Sequence, residues 1–169
     1  EGTAPGNSGS SITQDLAEQR DVVRAGVVRY TRRFAMGFVD LHSHVLFGLD
    51  DGAPDRAAAV ALLDGLAALG VTEQCVTPHQ KAGQYLPAWD QVERTLAELE
   101  AARRPSHPTL RLGAENMWDD VFHRRASEDT IPGYRGSVAF LVEVPPSLLP
   151  PGMLDQLFRF RMAGKLPLL

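Results

Sequence analysis

The pattern of hydrophobic and polar positions divides the chain at about residue 36. Residues 1–12 are small and polar, and residues 13–34 carry only weakly spaced apolar side chains. Residues 1–35 are therefore expected to be a disordered or weakly helical tail, or an extension ahead of a start at Met36. From residue 38 onward, short apolar runs alternate with segments in which apolar residues recur every three or four positions. That alternation predicts strands followed by helices in a parallel sheet with right-handed crossovers.

The boundaries of these predicted elements follow from the same pattern. The apolar runs predict strands over residues 38–41, 71–77, 110–114, 138–144 and 166–169. The helical periods predict helices over residues 55–70, 89–104, 118–125 and 153–163. The first strand is expected to be buried, and the fourth is expected to be buried on both faces because it is almost wholly apolar. This order predicts an α/β fold that stops short of a complete barrel of eight strands.

Composition and charge narrow the class of protein. The formal net charge of -4 at pH 7 gives no basic surface for nucleic acid. The single cysteine, Cys75, lies among apolar residues of the second predicted strand, so it is expected in the core and not as a nucleophile. No apolar run reaches the roughly 20 residues that a membrane helix needs, and no secretory signal opens the chain. The expectation is a cytoplasmic protein without stable membrane insertion.

Side chains of the types that bind metals follow the first three predicted strands. His42 and His44 lie at the end of the first strand, where residues two positions apart point to the same side. Asp51 lies in an acidic, glycine-flanked loop that can turn a carboxylate back over the strand end. His79 and Glu115 end the second and third strands. Because parallel barrels build their sites at the carboxyl ends of their strands, this coincidence predicts a metal site.

These motifs resemble the PHP superfamily of phosphoesterases, and within it the bacterial capsule-type (CpsB/CapC-like) tyrosine phosphatases. The likeness is carried by DLHSHVLFGLDDGA, VTPH, GAE and FLVEV, which occur in this order over residues 36–169. The resemblance implies a distorted TIM-like barrel that holds up to three divalent ions, manganese or else iron or zinc. It implies hydrolysis of phosphotyrosine by a metal-activated water in exopolysaccharide or capsule regulation, with a bacterial tyrosine kinase as the protein substrate.

The resemblance also assigns roles to individual residues. His42 and His44 would bind the first metal, and Glu115 would bridge the first and the second. Asp51 and His79 would bind the third metal. These five residues would form the catalytic set. Glu143, the acid of the FLVEV motif, matches a family carboxylate near the metals and would be a sixth ligand.

The chain departs from the family pattern in three respects. Gln80 follows His79 where the family usually has a second histidine, and Asn116 follows Glu115 where it often has an apolar residue. The family's later AHPER and Asp-x-His motifs, which supply further ligands and an arginine for phosphate, do not occur in the chain. The domain over residues 36–169 is therefore expected to lack its C-terminal part.

Two other functions stay open, together with one consequence of truncation. The chain could be a PHP-type phosphatase of a small phosphorylated metabolite, or an inactive truncated remnant with a structural or regulatory role. A barrel cut inside its sheet would leave apolar strand edges uncovered, so self-association through these edges is expected.

Polar residues outside the ligand set have simpler interpretations. Asp40 could orient a ligating histidine, or it could be an acid without a special role. Gln80, Lys81 and Tyr85 follow the second strand, where substrate contacts would arise, but the sequence alone does not favour that role for any one of them. His107 is expected in a solvated loop between two prolines, and His123 on the surface of a helix.

Overall fold

A computed structural model describes residues 37–146 and 149–169. The predicted tail over residues 1–35, with its weak helix, lies outside that part of the chain. The strands there are β1 (Phe38–Asp40), β2 (Val71–Val76), β3 (His79–Gln80), β4 (Thr109–Leu112), β5 (Glu115–Met117), β6 (Ala139–Glu143) and β7 (Leu166–Leu168). The helices are α1 (Arg56–Ala68), α2 (Trp89–Ala102), α3 (Asp120–Glu128) and α4 (Met153–Met162).

The strands pair in parallel throughout, but they form two sheets. One sheet has the order β1-β2-β4 and the other has the order β3-β5-β6-β7. The second and third predicted strands each divide, at residues 77–78 and 113–114, and the chain passes there from one sheet to the other. Pro78 contributes to the first break because it has no amide proton for a strand ladder. The parallel α/β fold is confirmed, whereas the described strands do not close into a barrel.

The first strand differs from its prediction in two ways. Phe38 and Val39 are 64% and 56% exposed, because β1 is an edge strand that pairs only with β2 in the described part of the chain. The strand also ends at Asp40, so His42 and His44 lie beyond it in irregular backbone. The alternation of side chains along a strand therefore does not set the direction of these two imidazoles.

The helices pack two apolar clusters against the sheets. Helix α1 begins as predicted at Asp55, whose Oδ1 accepts a hydrogen bond from the amide of Ala58 at 2.8 Å. Its buried side chains pack in the first cluster with those of α2, β2 and β4 and with the buried apolar residues of the segment before it, Val45, Leu46, Leu49 and Ala53. The second cluster joins α3, α4 and β6 through Trp118, Phe122, Val142, Met153 and two further phenylalanines, Phe140 and Phe160. None of the described helices is long and apolar enough to cross a membrane.

Three residues outside the site show where the sequence predictions were right and where they were wrong. Cys75 is buried as predicted, and this burial raises the pKa of its thiol. His107 is not solvated, because the side chain has 0% exposure and its Nε2 lies 2.9 Å from Oδ1 of Asp64 on α1. The connection from α2 to β4 folds back over α1, which buries the ring. His123 is exposed, as expected.

Candidate metal centre

The predicted ligands meet where the chain crosses between the two sheets. His79 opens β3 and Glu115 opens β5, and these two residues are direct partners in the parallel register. Glu143 ends β6, opposite Met117 of β5. The strand breaks thus place three ligand side chains next to one another along one sheet.

Glu115 lies at the centre of the cluster. Its Oε1 is 3.4 Å from Nε2 of His42, and its Oε2 is 3.4 Å from Nε2 of His44. The same Oε2 is 2.8 Å from Nδ1 of His79. One carboxylate therefore reaches three imidazoles that come from two separate stretches of the chain.

The six predicted side chains form three overlapping sets. The sets are His42, His44 and Glu115; His44, Asp51 and His79; and His79, Glu115 and Glu143. In each set the donor atoms lie within 4.8 Å of one another. Mixed imidazole and carboxylate donors suit manganese, iron and zinc. The structure thus brings together all the residues that the sequence singled out as ligands.

Three buried atoms of this cluster have no hydrogen-bond partner within the described part of the chain. They are Nδ1 of His79, Oε2 of Glu115 and Oε2 of Glu143. The 2.8 Å contact between His79 and Glu115 lacks hydrogen-bond geometry, although the two atoms are close. Buried polar atoms left unpaired are costly, and a cation would satisfy all three at once. The residues therefore fit a bound divalent metal.

Thr77 fixes the orientation of His42. Its Oγ1 lies 2.7 Å from Nδ1 of His42 and accepts a hydrogen bond from the amide of Ser43 at 3.1 Å. The hydroxyl donates to the carbonyl of Ser43 at 3.3 Å, so the proton of the first contact is assigned to Nδ1 of His42. Nε2 of that ring then faces Glu115, on the side where a metal ion would bind. Asp40 holds only the backbone of this segment, because its Oδ1 accepts from the amide of His42 at 3.1 Å.

Asp50 fixes the orientation of His44, although the sequence motifs assigned no role to Asp50. Its side chain is 1% exposed, and its Oδ2 lies 2.9 Å from Nδ1 of His44. The same oxygen accepts from the amide of His79 at 3.0 Å, and Oδ1 accepts from the amide of Gly52 at 3.1 Å. A carboxylate behind a ligating histidine is a common second layer of metal sites. The sequence Asp50-Asp51-Gly52 could have indicated this role, because an Asp two residues before a Gly often accepts a hydrogen bond from the backbone of its own turn.

The acidic loop that carries Asp51 packs tightly against the first histidine segment. The amide of Ala53 donates to the carbonyl of His44 at 3.0 Å. A Cβ added at Gly52 would lie 2.0 Å from that carbonyl oxygen, so only glycine fits there. The loop brings Oδ1 of Asp51 to 3.5 Å from Nε2 of His79.

The electrostatics of the cluster favour a positive charge at its centre. A hydrogen bond to Asp50 and the close contact with Glu115 raise the pKa of His44 to about 10, although burial opposes this. Burial also disfavours the ionised forms of Asp50 and Glu115, yet the pKa of each is lowered overall. For Asp50 the opposing causes are hydrogen bonds from His44 and two backbone amides, and for Glu115 they are the His44 contact and the nearby histidine charges. Without metal, a proton on His44 supplies the charge that a cation would bring.

The two substituted residues among the departures from the family pattern, Gln80 and Asn116, point away from the ligands. Neighbouring residues of a strand face opposite sides, so Gln80 and Asn116 lie behind His79 and Glu115. Gln80 accepts a hydrogen bond from Nη1 of Arg125 at 2.9 Å, and Nδ2 of Asn116 donates to two backbone carbonyls at 2.9 Å each. Both residues are buried and support packing. Neither departure alters the ligand cluster.

Comparisons with known proteins identify a family and a similar fold. A sequence profile described as capsular polysaccharide synthesis, CpsB/CapC, matches residues 38–169. The chain is 26% identical over 133 residues to the Staphylococcus aureus protein named "Putative tyrosine-protein phosphatase CapC". The aligned residues cover 78% of this chain and 52% of that protein.

A solved structure is also similar in fold. It comes from work on YwqE from Bacillus subtilis and CpsB from Streptococcus pneumoniae, described as unique metal-dependent tyrosine phosphatases. The TM-score is 0.64 at 19% identity, over 77% of this chain and 53% of the other. The chain thus spans about half the length of these relatives.

Proposed function

The chain belongs to the CpsB/CapC family of capsular polysaccharide synthesis, and on that premise we propose that it is a metal-dependent protein-tyrosine phosphatase. The observation that carries the proposal is the set of three overlapping ligand groups, with unpaired buried atoms at their centre. The names of the relatives supply the substrate class, which is phosphotyrosine in proteins. A bacterial tyrosine kinase of exopolysaccharide or capsule synthesis is the proposed protein substrate, and the cytoplasm is the proposed location.

The proposal assigns the ligands as the resemblance does. His42, His44 and Glu115 would hold one ion, and Asp51 and His79 would hold another. Glu115 would also contribute to the ion that Glu143 contacts. Manganese is the proposed metal, with iron or zinc as alternatives that the same donors accept. The parallel sheets are proposed to be part of a PHP-type distorted barrel over residues 36–169.

The chain's own residues prepare the site for phosphate ester hydrolysis. Bound divalent ions lower the pKa of water and neutralise phosphate oxygens. Thr77 and Asp50 hold the two imidazoles of His42 and His44 so that both Nε2 atoms face Glu115. The lowered pKa of Glu115 keeps its carboxylate ionised at neutral pH. Preset ligands of this kind need little rearrangement when metal and substrate arrive.

The test is hydrolysis of a phosphotyrosine peptide by the chain with manganese, beside a phosphoserine peptide and a small alkyl phosphate. We expect phosphate release from the phosphotyrosine peptide, and a loss of at least about tenfold in Glu115→Gln. The matched control is Glu98→Gln, which changes an exposed acid on α2 and should leave the rate unchanged. Faster turnover of the alkyl phosphate would point to a small metabolite, and no turnover with bound manganese would contradict the proposal.

A further inference from the structure

The turn that follows β3 borders the ligand cluster. It comprises residues 81–85 and is called the 81–85 turn here. The amide of Lys81 donates to the carbonyl of Tyr85 at 2.6 Å, and the amide of Tyr85 donates back at 3.1 Å. The amide of Ala82 donates to Oδ2 of Asp119, whose other oxygen caps α3. The turn is thus closed on itself and tied to the neighbouring helix.

Lys81 brings a positive charge to the edge of the cluster. Its Nζ lies 3.8 Å from Oε1 of Glu143, and 29% of its side chain is exposed. Among the lysines and arginines of the described residues, only Lys81 has a charged nitrogen within 4.0 Å of a predicted ligand carboxylate. A compact ammonium group of this kind suits the oxygens of a phosphate ester. The Lys81 side chain is thus partly exposed at the edge of the ligand cluster.

Tyr85 brings an aromatic ring to the same edge. The ring stacks on the imidazole of His79, with centroids 5.7 Å apart and planes 12° apart. The residue is half-buried, so part of its side chain stays accessible beside the cluster. One short turn therefore presents a cation and an aromatic surface next to the proposed metal ligands.

We propose that the 81–85 turn receives the phosphorylated side chain of the substrate. Lys81 binds a phosphate oxygen, and Tyr85 contacts the phenyl ring that carries the phosphate. This assignment rests on the proposed function and deepens it, since it says which residues select an aryl phosphate. The short side chain of phosphoserine would place no ring against Tyr85, so the turn favours phosphotyrosine.

The test measures binding to the manganese-loaded chain by titration calorimetry. The two probes are inorganic phosphate and a non-hydrolysable phosphonate analogue of phosphotyrosine. Lys81→Gln is expected to weaken both probes by about tenfold, because it removes a charge-assisted hydrogen bond. Tyr85→Leu is expected to weaken only the aromatic probe, by about threefold to tenfold. Manganese affinity, measured on the same samples, should stay within about twofold, since neither residue is a proposed ligand.

Conservative and matched variants complete the design. Lys81→Arg and Tyr85→Phe keep the charge and the ring, and both should bind like the unmodified chain. Glu98→Gln changes an exposed residue on α2, outside the turn, and should have no effect.

The outcomes separate this inference from the proposed function. Equal losses for both probes in Tyr85→Leu would show that Tyr85 acts through His79, and would overturn the inference. Unchanged binding in Lys81→Gln, or lower manganese affinity with unchanged phosphate affinity, would also overturn it and leave the proposed function standing. If the unmodified, manganese-loaded chain bound neither probe, the proposed function would fail together with the inference.

Discussion

Replacing Thr77 with valine is expected to weaken metal binding more than it weakens the fold. Valine has nearly the same shape as threonine, but it cannot accept the proton of His42 Nδ1 or the amide of Ser43. The imidazole of His42 then loses the partner that directs its Nε2 toward Glu115. Thr77 is fully buried, so no solvent replaces the missing hydroxyl.

The size of the effect follows from the contacts that are lost. Removing the outer partner of a ligating histidine typically lowers metal affinity by about 10- to 100-fold, or about 1.4–2.8 kcal/mol. The unfolding free energy should fall by about 1–3 kcal/mol, because up to three hydrogen bonds around Thr77 disappear. Thr95→Val is the matched control, since Thr95 is buried on α2 away from the cluster.

The assay is competition for manganese against a chelating dye, with denaturant unfolding on the same samples. Thr95→Val should bind manganese like the unmodified chain. If Thr77→Val bound manganese within about twofold of that control, Thr77 would not hold His42 for metal, whatever its effect on stability.

Four further predictions concern protonation, packing and association. Because the pKa of His44 is raised to about 10, manganese binding at pH 8 should release about one proton. The Asp50→Asn variant should release fewer protons on binding manganese. Calorimetry in buffers of different ionisation enthalpy measures the number of protons released. The same raised pKa stabilises the metal-free fold below the ordinary value of 6.5 and ceases to do so as pH rises through about 10, so denaturant stability without metal should decline over that range. His107→Leu should lower the unfolding free energy by about 1–3 kcal/mol, because it removes a buried ring that is hydrogen-bonded to Asp64 on α1. Arg94→Ala breaks an exposed ion pair and should change the unfolding free energy little. Light scattering should show association that increases with protein concentration. Phe158→Glu should reduce this association, because Phe158 is an exposed apolar residue on α4. A monomer at all concentrations would contradict the prediction.

The sequence was sufficient to predict which ligands meet, because strand ends converge in any parallel fold. It was not sufficient to predict the path between them. Pro78 indicates that the second strand breaks there, but the sequence does not show that the chain passes from one sheet to the other at this point.

Long-range partners were also beyond the sequence. Asp50 and Asp51 are adjacent acids in one loop, and only the folded chain shows that Asp50 supports His44 while Asp51 faces His79. The partner of His107 is Asp64, which is 43 residues away in the chain. The exposure of Phe38 depends on strand order, and a strand's own composition does not encode that order.

The sharing of ligands has a consequence for how the cluster fills. His44, His79 and Glu115 each belong to two of the three sets, so no position has a donor shell of its own. A cation that settles in one position draws a shared donor toward itself and changes the affinity of its neighbour, and the neighbour acts back by the same factor. Occupancy is therefore cooperative or anticooperative as a whole, and a chelator would empty the cluster in linked stages. In such a site, the affinity of each position for metal depends on which of its neighbours are filled.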